Sequence, residues 1–180
     1  MKKNFHKNDL RTAAILFGIG MGGFIDGILF HQILQVHNML SNRFFPDSLV
    51  NVDINMFWDG LFHAATWTVT AVAIYFFWRA GLNHRTVWSG KTFVGGLFLG
   101  WGLFNFVEGI IDHHILQVHH VVQRATGLTQ LLWDLAFLAS GIVFIAIGSF
   151  LIKRGKAEAV AQAVPTHSGV YDQAESSLSH

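Results

Sequence analysis

Cysteine is absent from the 180 residues. That excludes disulfides, zinc ribbons and thiolate-held clusters, while leaving the redox compartment open. Charge is scarce too. Only 13% of residues are Asp, Glu, Lys or Arg, roughly half the share of a soluble domain. A net charge of +1 leaves no basic excess to hold nucleic acid. The methionines Met21, Met39 and Met56 are too scattered to form a thioether ladder for copper(I). The N-terminal apolar block has no small-residue cleavage pattern near its end, and it is longer than a signal-peptide core. It reads as a retained helix.

What remains is apolar, 52% of the chain, and it is gathered into long blocks. A membrane span needs about 20 such residues. Four stretches qualify, at about 12–37, 56–78, 92–119 and 131–152. Tryptophans at the ends of the second and fourth stretches (Trp58, Trp78, Trp133) fit the aromatic belt of a bilayer. The expected fold is an all-α integral membrane protein, a four-helix bundle within residues 1–155, followed by a polar and disordered tail at 156–180. Ten of the twelve basic residues lie before the first span, between the second and third, or after the fourth. Only Arg43 and Arg124 occupy the other two links. The positive-inside bias then places both termini in the cytoplasm.

The third block restates the first. Residues 24–40 read FIDGILFHQILQVHNML and residues 106–122 read FVEGIIDHHILQVHHVV, with nine identities in seventeen positions. Chance would give roughly one or two. The second and fourth spans match more weakly, through Trp58-Asp59 and Trp133-Asp134. The chain is thus two tandem, parallel helix hairpins, about 12–80 and 92–152, expected to share a pseudo-two-fold axis along the membrane normal.

Ionisable groups inside a span are costly and tend to face a bundle interior. Asp26, Asp59, Glu108, Asp112 and Asp134 lie within or near the spans, together with seven of the eleven histidines. No lysine or arginine accompanies them there. Topology puts them at one depth, near the outer face. Imidazole with carboxylate suits iron, zinc, manganese or copper(II). The candidate metal ligands are Asp26, His31, Asp59, His63, Glu108, Asp112, His113 and Asp134. Gln35, Gln117, His37 and His119 are candidate hydrogen-bonding support around them.

Helical phase refines the set. Asp59 and His63 share a face, as do Glu108 and Asp112. Asp26 and His37 share a phase but stand about 16 Å apart along an unbroken helix, too far for one ion. His37, His119 and His120 fall at expected helix ends, where water can satisfy them. Asp59 and Asp134 fall in the expected first turns, where capping competes with ligation. The position matching His63 is Leu138, while Phe30, Gln32 and Asn38 become Asp112, His114 and His120. That divergence predicts an unequal site, with Asp59 and His63 bound most directly.

The motif FIDGILFHQILQVHNML with the later WDGLFH resembles the bacterial family Domain of Unknown Function 2243, over about residues 12–152. The resemblance implies a four-span protein of the bacterial cytoplasmic membrane and no particular reaction. Its polar positions fall here on Asp26, His31, His37, Asp59, His63, Glu108, His113, His119 and Asp134.

Three functions compete. The first is a membrane metalloprotein, either a redox or oxygen-handling enzyme or a metal-handling factor for a respiratory complex. The second is a b-type haem protein, with His31 and His113 as axial ligands and Gly27 and Gly109 lying against the macrocycle. The third is a proton or cation transporter, which at four spans would need to form a homo-oligomer.

Overall fold

A computed structural model describes residues 9–84 and 86–163. Its helices are α1 (Asp9–Phe24), α2 (Leu49–Leu82), α3 (Gly90–Glu108) and α4 (Gly127–Ala163). α1 continues into a π-helical segment, Ile25–Ile33, and α3 into another, Gly109–Ile115. Counting these extensions, four helices are long and apolar enough to cross a membrane, and the described residues contain no strand.

Glycine explains the packing. A Cβ at Gly18 would run into the Leu97 carbonyl, and one at Gly100 into the Ile15 carbonyl, so α1 and α3 touch backbone to backbone. A Cβ at Gly102 would come within 2.6 Å of the Gly141 carbonyl, which joins α3 to α4 in the same way. A Cβ at Gly23 would meet the Thr66 hydroxyl at 2.8 Å, where α2 lies on α1. The helices follow the order α2, α1, α3, α4 instead of closing a square bundle. The most apolar windows of α1 and α3 are 44% and 39% buried, against 11% and 17% for α2 and α4. The inner pair therefore carries the core, and the outer pair turns most of its apolar surface outward, as lipid-facing helices do.

The element boundaries differ from those expected. The first and third spans end at Ile33 and Ile115, four residues before His37 and His119. Hydropathy could not see this, because the apolar composition continues through a break in the backbone. α2 begins seven residues before Met56, where the Ser48 hydroxyl accepts from Asn51 N–H and caps the helix. Asp59 and Asp134 are consequently interior helix residues, and first-turn capping does not account for them. α4 runs on to Ala163, beyond the expected start of the tail, with Lys91 paired to Glu158. The rest of the expected tail lies outside the described residues.

Candidate functional site: a histidine–carboxylate centre

The centre begins with the two π segments. In an α-helix, residues five apart point about 140° away from each other. The wider i→i+5 turn brings them onto one face. Asp26 Oδ2 thereby lies 3.1 Å from His31 Nε2, and Glu108 Oε1 lies 3.2 Å from His113 Nε2. The segments end alike, with Leu34 N–H donating to the Leu29 carbonyl (2.8 Å) and Leu116 N–H to that of Ile111 (2.7 Å). The next residues, Gln35 (φ 49°) and Gln117 (φ 48°), adopt left-handed backbone and reverse the chain.

That reversal brings His37 and His119, expected at helix ends as support around the ligands, into the centre itself. His37 Nε2 stands 3.6 Å from Asp26 Oδ1, and His119 Nε2 stands 2.9 Å from Glu108 Oε1. The 16 Å separation held only for an unbroken helix. The two returning loops cross. Asn42 N–H donates to the Val118 carbonyl at 2.9 Å, and Gln123 N–H to the Val36 carbonyl at 3.0 Å. His37 Nδ1 donates to the Val121 carbonyl at 2.9 Å, and His119 Nδ1 to the Met39 carbonyl at 3.1 Å. The two imidazoles stack, with centroids 4.7 Å apart and planes 2° from parallel. His37 and His119, their acceptors Val121 and Met39, and the acceptors Val118 and Val36 are each pairs 82 apart, so the contacts match on either side of this stacked pair.

α2 and α4 each add one buried carboxylate from behind. Asp59 Oδ1 lies 2.9 Å from His31 Nδ1 and accepts from Met39 N–H at 2.8 Å, while its Oδ2 accepts from Asn38 Nδ2 at 2.9 Å. Asp134 Oδ1 accepts from Val121 N–H at 2.9 Å and lies 3.7 Å from His113 Nδ1, and its Oδ2 lies 2.7 Å from His120 Nδ1. Asn55, buried on α2, accepts from Leu40 N–H and donates to the Phe44 carbonyl, pinning the first loop. Asn38 and Asn55 were missed because each falls one residue outside an expected span, although Asn55 lies one turn before Asp59 on α2.

His31, His37, His113 and His119 are each no more than 2% exposed, and Asp26, Asp59, Glu108 and Asp134 no more than 6%. The other expected ligands stand apart. His63 is half-buried, its Nδ1 donates to the Asp59 backbone carbonyl at 2.8 Å, and its Nε2 faces Gly27. The expected Asp59–His63 pairing is replaced by Asp59–His31, because the Asp59 side chain turns toward α1. Asp112 is half-buried beside Glu108. Gln35 and Gln117 are exposed, so they shape the turns and do not support the ligands.

The donor set suits a metal ion. Bonds of about 2.0–2.2 Å place neighbouring donors roughly 2.9–3.6 Å apart around one ion. The imidazole–carboxylate separations of 2.9–3.6 Å fall in that range. Donor atoms of His31, His37 and His119 lie within 4.8 Å of one another, as do those of Glu108, His113 and His119. A haem does not fit. His37 and His119 fill the space between the would-be axial residues His31 and His113. A Cβ at Gly27 would touch His63 and Phe62, and one at Gly109 would touch Phe137, so neither glycine offers a face to a macrocycle.

Residues 13–155 match the family described as predicted membrane protein, Domain of Unknown Function 2243. The chain belongs to that family. No curated protein and no solved structure matches it. Both π segments, both crossed loops and all eight residues of the centre lie inside the part that matches the Domain of Unknown Function 2243.

Proposed function

We propose that this protein is a membrane-embedded metal protein whose ion or ions are held by His31, His37, His113, His119, Asp26 and Glu108. One observation carries the reading. The Nε2 atoms of His31, His37 and His113 are buried without a hydrogen-bond partner, as are Asp26 Oδ1 and Glu108 Oε2. His37 and His119 spend their Nδ1 protons on backbone carbonyls, so their neutral tautomer turns an Nε2 lone pair toward the carboxylates. Lone pairs facing anions at these distances repel unless a proton or a cation stands among them. Asp59, 2.9 Å behind His31, matches the carboxylate–histidine–metal arrangement that orients an imidazole ligand, whereas Asp134 stands 3.7 Å from His113 Nδ1, beyond a hydrogen bond.

Imidazole and carboxylate without thiolate favour iron, manganese, zinc or copper(II). An iron or manganese centre would serve redox or oxygen chemistry, and any of the four would serve metal handling for a respiratory complex. A proton relay built from the same groups is the competing class. The centre would lie toward the outer face of a bacterial cytoplasmic membrane, because the crossed loops lie on the side poor in lysine and arginine. The test is elemental analysis and an absorption spectrum on the same detergent-purified sample. Stoichiometric transition metal without a Soret band supports the reading. Protein that is folded and free of metal after purification in metal-replete medium sinks it in favour of the relay.

A further inference from the structure

Two clefts run from the flanks of the bundle to the centre, and they occupy matching places in the two repeats. One, of about 460 Å³, is lined by Ile19, Phe62, Phe104, Val107, Glu108 and Asp112 among others. The other, of about 210 Å³, is lined at the corresponding positions by Trp101, Phe137, Gly22, Ile25, Asp26 and Phe30. Each ends on the acid of its own half of the centre. The repeat has diverged at five of these six positions; two of the changes put an aromatic ring into the smaller cleft, where Gly22 in place of Phe104 makes the room that Trp101 takes up. Trp101 stands where the other half has Ile19, and Phe30 stands where it has Asp112. Trp101 lies against Gly22, and the Phe30 ring lies 6.1 Å from that of His37, so bulky apolar groups fill the smaller cleft. The larger one is left open. Val107 and Ile111 at its edge are 50% and 41% exposed on a helix long and apolar enough to cross a membrane, an apolar rim suited to lipid.

The open cleft also has unmet polar demand. Glu108 is 6% exposed, and its Oε2 is buried without a partner. Asp112 adds a second acid one helical turn toward the mouth. A lipid tail entering here would leave that oxygen unsatisfied. A hydroxyl would satisfy it. The walls carry Phe62 and Phe104, whose rings are 6.1 Å apart and tilted by 48°, an apolar and aromatic lining suited to a flat ring.

We propose that this cleft admits a lipid-soluble hydroquinone from the bilayer, its ring against Phe62 and Phe104 and a hydroxyl donating to Asp112 or to whichever Glu108 oxygen the metal leaves free. This deepens the metal-centre reading by naming the class of molecule that reaches the centre. It rests on that reading for the use made of the molecule, while the cleft exists without the metal. Binding of a decyl-substituted hydroquinone to the purified full chain tests it, with metal content measured on the same samples. Wild-type protein should bind the probe saturably. Ile19→Trp and Asp112→Phe each copy the residue of the filled cleft, and each should weaken binding at least tenfold with metal content unchanged. Phe30 is already accommodated at the matching position, which makes Asp112→Phe the safer variant for folding. Equal affinity in wild type and both variants, or preference for a decylammonium probe over the hydroquinone, would overturn the proposal. Absence of metal in a wild-type sample that still binds the probe would count against the metal reading alone.

Discussion

Asp59 is the residue on which most of the first half converges. Its two oxygens serve His31 Nδ1, Met39 N–H, Asn38 and Gln32, which ties α1, the first loop and α2 to one carboxylate. Asp59→Asn keeps the volume but removes the charge that orients and polarises His31. Its expected effect is a loss of metal affinity of about 10–100-fold, read by competition against chelators of graded strength. His63→Ala should leave the affinity unchanged, since His63 spends its Nδ1 on its own helix. Equal losses in the two variants would return His63 to the centre. Gln35 and Gln117 permit a separate test. Both hold left-handed backbone, which costs a residue with a side chain roughly 1–2 kcal/mol relative to glycine. Gln35→Gly and Gln117→Gly should therefore raise the thermal midpoint and keep the metal. A lower midpoint with metal loss would mean that the amides do more than turn the chain.

Helix pairs set the distance between the two half-centres. α1 and α3 approach until Gly18 and Gly100 meet the opposing carbonyls, and the π segments that carry Asp26 and Glu108 extend from these two helices. Gly100→Ala forces a methyl into the Ile15 carbonyl, and overpacking of this kind costs about 1–3 kcal/mol. The expected outcome is a lower melting temperature in detergent together with weakened metal retention, because the helices that carry the ligands move apart. Gly81→Ala on α2 meets nothing within 4 Å and should hold or slightly raise the melting temperature. A Gly100→Ala protein as stable as Gly81→Ala would show that the helices separate without cost.

At the scale of the molecule, the basic residues decide which way the protein faces. Ten lie on the side of the termini and the α2–α3 link, and two lie on the side of the crossed loops. A reporter fused after Arg154 should be cytoplasmic and one inserted near Ser48 external, by the positive-inside bias. A cytoplasmic signal at Ser48 would invert the molecule and place the centre toward the cytoplasm. The crossed loops also make the two hairpins interdependent. Each loop's backbone is satisfied by the other's, and each central histidine donates to a carbonyl of the opposite repeat. Each half-centre draws its acids and histidines from one hairpin, but its looped histidine is held in place by the other.

The four spans, the recurrence of the first in the third, and the kinship of Asp26, His31, Asp59, Glu108, His113 and Asp134 could be read along the chain. Span length, apolar composition and the cost of a buried charge are local properties, and they are legible in a one-dimensional pattern. The central position of His37 and His119, and the peripheral one of His63, emerge from the three-dimensional path alone. Their place depends on two π turns and two left-handed glutamines, and an α-helical phase applied to an apolar run cannot represent either. The divergence at Phe30 and Asp112 was equally visible in the sequence, where it suggested unequal ligands. In three dimensions those positions line the clefts, so the same difference separates an open path from a filled one. Which atoms a side chain meets depends on the whole chain's path, and here that path doubles back inside each repeat and crosses to the other.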